Sequence, residues 1–310
     1  MFKKILLVVV AAVIPFFMTE AKTLRVNNIP GSGAQYTNFK DAQDAASDGD
    51  IIIFDGSKTN YGNIVVNKKL TIQGPGYFLQ ENNASSESIN EACFEGITVN
   101  AEGTKITGIV VDGFGDGGLI LQANNIVVTR CKITIINLKK DFSFSDNAIS
   151  NCIIHQNYIT TRIQSDAYSA HATNLQITNN IIYAYNFLGM DNSTISRNTF
   201  IYASYDNMEN NVYEYNTGSI LVNGYNHDNN IIRENISHTY NSIKNDQQVK
   251  DEDAKIAQNS GGFKYGAFSG EDPYVLSGLS SGPRIQDIEM PETVVQGENL
   301  KVSVKIAVTQ

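Results

Sequence analysis

The chain has 310 residues, 42% hydrophobic and 18% charged, with no tryptophan and a formal charge of −9. That is room for one large domain or two ordinary ones with a real core. The acidic balance and the lack of any Lys/Arg-rich run exclude the electrostatic footprint expected of a nucleic-acid or anionic-membrane binder.

Residues 1–21 read as a signal peptide: Lys3 and Lys4 form a basic start, an apolar stretch runs from Ile5 to Met18, and Thr19-Glu20-Ala21 offers a small-residue cleavage site. No other stretch approaches the ~20 apolar residues of a membrane span, so the mature protein is expected to be exported, without membrane insertion. Cys93, Cys131 and Cys152 are too few and odd in number for a disulfide scaffold. They read as small buried hydrophobes, with at most one bridge. From residue 22 to 62 the chain predicts an N-terminal cap and first coils, with a short amphipathic helix beginning at Phe39, followed by the apolar run Ile51 to Phe54.

Between residues 63 and 240 one spacing recurs: an Asn, an aliphatic or aromatic residue three later, and another Asn three after that. It appears as Asn151-Ile154-Asn157, Asn174-Ile177-Asn180, Asn192-Ile195-Asn198, Asn210-Tyr213-Asn216 and Asn229-Ile232-Asn235. Asn125-Val128-Cys131 and Gly103-Ile106-Ile109 are degenerate copies, and the third positions are separated by 22, 26, 23, 18, 18 and 19 residues. Two residues beyond them Val111, Ile133, Ile159, Ile182 and Phe200 are again apolar, until the pattern lapses at Gly218 and Ser237. Units this short with β-branched positions predict coils of a parallel β-helix, stacked at about 4.8 Å, with the Ile/Val column as core and the Asn columns as a structural ladder at the corners. Residues 241–310 predict a polar loop and then alternating strands, a C-terminal cap or small strand appendage.

These features resemble secreted right-handed parallel β-helix proteins of the pectate-lyase-like superfamily. The likeness rests on Phe39-Lys40-Asp41-Ala42 through Ile52, on Val66-Asn67-Lys68-Lys69 through Tyr77, and on the ladder coils, together about residues 23–240. The ending from Tyr265 through Gly278 resembles a tail on exported β-helix proteins of Gram-negative bacteria. The resemblance implies an all-β, right-handed, single-stranded parallel β-helix with an N-terminal cap helix and a short C-terminal strand cap. It implies a monomer, secreted, periplasmic or on the cell surface. It does not fix the chemistry, since that superfamily holds lyases, hydrolases, esterases and adhesins.

Residue by residue, the catalytic patterns of that superfamily are not met. There is no Asp-Asp or Gly-His-Gly as in polygalacturonases, no Trp-Ile-Asp-His as in pectate lyases, and no Arg-Pro-Trp to accompany Asp141-Phe142-Ser143-Phe144 as in pectin esterases. Arg130-Cys131-Lys132 matches an Arg-x-Lys element but lies within a ladder coil.

Two constellations remain. Asp112 and Asp116 in a Gly-rich turn offer carboxylates to a hard cation such as Ca²⁺, or are simply solvated turn residues. Ten of the fifteen tyrosines lie between Tyr158 and Tyr240, and Tyr183, Tyr185, Tyr202 and Tyr205 follow successive coils. They either stack as an outward platform for sugar rings or pack under loops. His155 is expected in a solvated column with Glu214 and Arg233, the latter two forming a surface ion pair. The loop carrying Asp166 and His171 is the expected wall of any groove.

Two functions follow as expectations. One is a polysaccharide-interacting protein without cleavage activity. The other is a cation-dependent lyase-like enzyme using Arg130, Lys132 or Arg162 as base.

Overall fold

The computed structural model describes residues 20–82, 90–114, 117–139, 148–165, 171–183, 186–202, 205–206, 208–219, 229–279, 282–289 and 299–309, backbone only for 186–188, 205–206, 282–289 and 307–309. The expected signal peptide, Asp116, Asp141 to Phe144, Asp166 and Tyr185 therefore lie outside the described residues, apart from Glu20 and Ala21.

The chain is an all-β parallel β-helix. A ten-stranded, all-parallel sheet forms one wall and a thirteen-stranded parallel sheet the others. The first wall is held in register by one inward column, Leu24↔Ile52↔Ile72↔Ile106↔Val128↔Ile154↔Ile177↔Ile195↔Tyr213↔Ile232. The repeat thus begins three coils earlier than the Asn spacing reveals. The second column expected from sequence is also continuous, Phe94↔Val111↔Ile133↔Ile159↔Ile182↔Phe200↔Gly218↔Ser237. It lapses at Gly218 because a Cβ there would lie 1.8 Å from the Phe200 carbonyl oxygen, with φ at +101°. Strands Lys132–Leu138 and Tyr158–Ser165 span the bend of the larger sheet and join its two runs.

Every ladder coil turns twice through left-handed backbone. The first Asn of each repeat (Asn125, Asn151, Asn174, Asn192, Asn210, Asn229) has φ between 51° and 59° and is exposed. Asn adopts this region at low steric cost. The last Asn does the bonding instead. Asn157 Oδ1 accepts from Cys131 N at 2.9 Å, and Asn180, Asn198, Asn216 and Asn235 repeat this one coil on, at 2.8–2.9 Å. Their Nδ2 groups donate to the carbonyls of Val128, Ile154, Ile177, Ile195 and Tyr213. A second, shorter ladder runs Ser193, Asn211, Asn230.

Helix α1 (Phe39–Ala45) closes the N-terminal end. Asn38 caps it by accepting from Asp41 N, and Phe39 and Ala42 enter the core, with the Phe39 ring 6.1 Å from that of Phe54. A second helix, α2 (Asp246–Ser260), stands where a loop was expected. Its buried positions Asp246, Val249, Asp253 and Ala257 follow a helical period, but two of the four are aspartates, so no apolar stripe shows in the sequence.

From Gly266 to Leu279 the chain returns along the outside of the solenoid as a strap. It runs over the second left-handed column, the residue before each ladder position: Arg130, Gln156, Asn179, Arg197, Tyr215 and Glu234, with φ between 52° and 57°. Asn179 Nδ2 donates to the Ala267 and Ser269 carbonyls, Gln156 Nε2 to Asp272 Oδ1 and the Pro273 carbonyl, and Arg130 Nη1 to the Leu279 carbonyl. Beyond the strap, strands Gly282–Glu289 and Ser303–Thr309 pair antiparallel, the expected strand appendage. Among the described residues no helix is long and apolar enough to cross a membrane.

Candidate functional site

The lateral face of the larger sheet gathers the aromatic residues singled out from sequence, and the coil register sorts them. Tyr183 and Tyr202 are register partners on neighbouring strands, Ile181–Tyr183 and Thr199–Tyr202. Tyr202 is 58% exposed. Tyr183 is half-buried and packs against the apolar cluster beneath α2 and the strap. Tyr205 pairs instead with Phe187, in line with the core residues Ile163 and Ile136, so its strand position belongs to a different column. The offsets shared by the four tyrosines therefore align two of them, Tyr183 and Tyr202, among the described residues.

Beside this pair runs a polar strip. Arg162 is the register partner of Asn186, three residues after Tyr183, and Gln164 Nε2 donates to Asn137 Oδ1 at 2.8 Å. Arg162 Nη1 donates to Gln164 Oε1 at 3.4 Å, while its buried Nε has no hydrogen-bond partner.

Of the residues proposed for lyase chemistry, Lys132 and Asp112 share a neighbourhood around Cys93, and Arg130 is engaged elsewhere. Arg130 is held by the strap and by Gln156 Oε1 at 2.7 Å. Lys132 lies over the Phe78 ring, 4.7 Å from its centroid, in a cleft of about 270 Å³ that also holds Glu91 and Cys93. Asp112 shares only this neighbourhood: burial first, then Glu91 and Asp112, push the Cys93 thiol up to about 11 while Lys132 opposes them. Among the described residues no three His, Cys, Asp or Glu side chains are grouped to hold a metal ion.

His155 departs from expectation. Its Nδ1 lies 2.8 Å from Thr178 Oγ1 and its Nε2 3.0 Å from Asp272 Oδ2 on the strap, leaving its side chain 17% exposed. Its column is covered there by a segment more than a hundred residues away in sequence. His171 pairs with Asp191 at 2.8 Å. The Arg233–Glu214 ion pair forms as expected, at 2.9 Å on the surface. Cys131 and Cys152 are buried thiols and Cys93 a half-buried one, none in a disulfide, with burial raising Cys131 to about 12.

Comparison with protein-family models, curated proteins and solved structures returns no match.

Proposed function

We propose that this is an exported protein of the pectate-lyase-like superfamily that binds polysaccharide without cleaving it, through the outer face carrying Tyr202 and Tyr183. The observation that carries this reading is the in-register aromatic pair with Tyr202 58% exposed. Sugar rings present a flat array of C–H groups to an aromatic face, and the half-buried Gln164 amide and Arg162 guanidinium supply hydroxyl partners on the neighbouring strand. Release to the periplasm or cell surface follows from the signal-like residues 1–21. The alternative, a cation-dependent lyase-like enzyme, draws on Asp112 and Lys132 standing around Cys93. Lyase chemistry needs charge neutralisation and a base at one carbon.

The test is affinity electrophoresis of residues 22–310 against acidic and neutral polysaccharides, with ultraviolet absorbance of unsaturated products followed with and without Ca²⁺. We expect retardation without cleavage, weakened about three- to tenfold by Tyr202→Ala at unchanged circular dichroism. A Ca²⁺-dependent rise in absorbance overturns the non-catalytic reading, and absence of retardation on every glycan overturns binding.

A further inference from the structure

Helix α2 docks on the solenoid through two carboxyls that no cation among the described residues neutralises. Asp253 is 2% exposed. Its Oδ2 accepts from Thr199 Oγ1 at 2.8 Å and its Oδ1 from the Tyr240 hydroxyl, which lies 2.7 Å from Thr217 Oγ1. Asp246, two turns earlier on the same face, is fully buried. Its Oδ2 accepts from Ser277 N at 2.6 Å and from the Tyr274 hydroxyl, and its Oδ1 from Asn82 Nδ2 at 2.7 Å. A buried carboxylate without a counter-ion is costly, whereas a protonated one is not. Neither carboxyl has an Arg or Lys partner among the described residues, because the nearby cations are committed elsewhere. Lys255 pairs with Glu252, Lys264 with Glu234, and Lys250 lies over the Phe268 ring.

We propose that α2 is a proton-controlled latch, closed on the outer face of the larger sheet while Asp253 and Asp246 hold protons and released as they ionise.

Every element around the two groups bears on the sign. The sheet presents Thr199 and Thr217 to Asp253, the strap presents Gly266 and Ala267, and the chain after the last coil presents Tyr240. Tyr77 and Tyr158 lie near Asp246 from the sheet side, and as neutral phenols they do not stabilise its charge. Glu252 on α2 disfavours ionisation of Asp253 further. His238 stands 3.6 Å from Glu252, an ion-pair separation too long for a hydrogen bond, and its ring is 4.6 Å from that of Tyr240.

Burial pushes Asp253 up to about 7 and raises Asp246 as well, each against its hydrogen bonds. A carboxyl whose closed-state affinity for protons is raised stabilises the closed state fully below the ordinary carboxylate range. It loses that contribution as pH rises through the closed-state value. Lifting the helix would uncover Val249 together with Ile181, Ile201 and Tyr158, an apolar strip now covered.

Hydrogen–deuterium exchange resolved by segment, corrected for intrinsic rates, tests this on the whole protein. We expect protection of α2 to fall about tenfold per pH unit between about pH 5 and about pH 7 and then level, while solenoid amides around Ile154 and Ile177 keep theirs. Asp253→Asn should flatten the profile and hold α2 closed above neutrality, and His238→Gln should leave most of the slope. A wild-type profile without slope overturns the latch, whether or not the Asn variant folds. A slope abolished by His238→Gln also overturns it, since the titrating group would then be the imidazole.

Discussion

Asn180 shows how one side chain holds three coils together. Its Oδ1 accepts from Asn157 N, its own N–H is satisfied by Asn198 Oδ1, and its Nδ2 reaches the Ile154 carbonyl at 2.8 Å, all in a fully buried site. Removing the side chain leaves the buried Asn157 N–H without its partner, at about 1–3 kcal/mol, and deletes the Nδ2 bonds to the Ile154 carbonyl and to Asn198 Oδ1, each worth about 0.5–1.5 kcal/mol. Asn180→Ala should therefore lower stability by about 2–5 kcal/mol in urea unfolding, whereas Asn174→Ala, at the exposed left-handed corner, should cost about 1 kcal/mol from backbone strain alone. Equal losses at the two sites would refute the division of labour between the Asn columns. Both columns are legible in the sequence as Asn, yet their roles are not. The residue type is shared, while the role depends on whether the side chain points across the coil corner or out of it.

At the scale of elements, the core columns and ladder were legible because each recurs at a fixed offset along the chain. Helix α2 and the strap were not. The strap is held by the column Arg130, Gln156, Asn179, Arg197 and Tyr215, which varies in type, and α2 by Asp253 and Asp246 on Thr199, Tyr240 and Asn82, so that their bonds join residues up to 200 positions apart. The same cover takes His155 out of the solvated column that the repeat predicts. Tyr77 and Tyr274 illustrate the separation: their hydroxyls bond to each other in a buried site where the strap meets an early coil. The strap passes so close that side chains are excluded at Gly266, Gly270 and Gly278, the last of which would set a Cβ 2.4 Å from the Arg130 carbonyl oxygen. A Cβ on Gly266 would lie 2.8 Å from Asp253 Oδ2 and 2.9 Å from both Thr199 Oγ1 and Thr217 Oγ1, at φ +79°, and one on Gly270 would lie 2.6 Å from Arg197 Nε. Gly266→Ala is expected to displace the strap and α2 together, costing about 1–3 kcal/mol through strain and lost bonds. Limited proteolysis should then cut within residues 241–279 while the coils before residue 219 stay intact. An unchanged digestion rate would refute the close passage.

For the molecule as a whole, stacked coils make stability a sum of neighbour contacts, so identical chemistry has different worth along the axis. Ile177 and Ile232 occupy the same inward column but differ in setting: Ile177, three strands before the end of its sheet, is fully buried with coils on both sides, while Ile232 sits on the last strand and is 50% exposed, beside Ile231 at 51%. The N-terminal end differs, since α1 inserts Phe39 and Ala42 over the first coils. Ile177→Lys places an unpaired ammonium in a dry core and should cost at least about 4 kcal/mol, enough to threaten folding outright. Ile232→Lys leaves the charge in water and should cost less than about 1 kcal/mol, while reducing any tendency of the exposed edge strand to pair with another chain. Thermal unfolding of the two variants, with sedimentation of the second, measures both effects. Comparable destabilisation would mean that the terminal coil is covered in solution, and the exposed end of the solenoid would then have to be an interface.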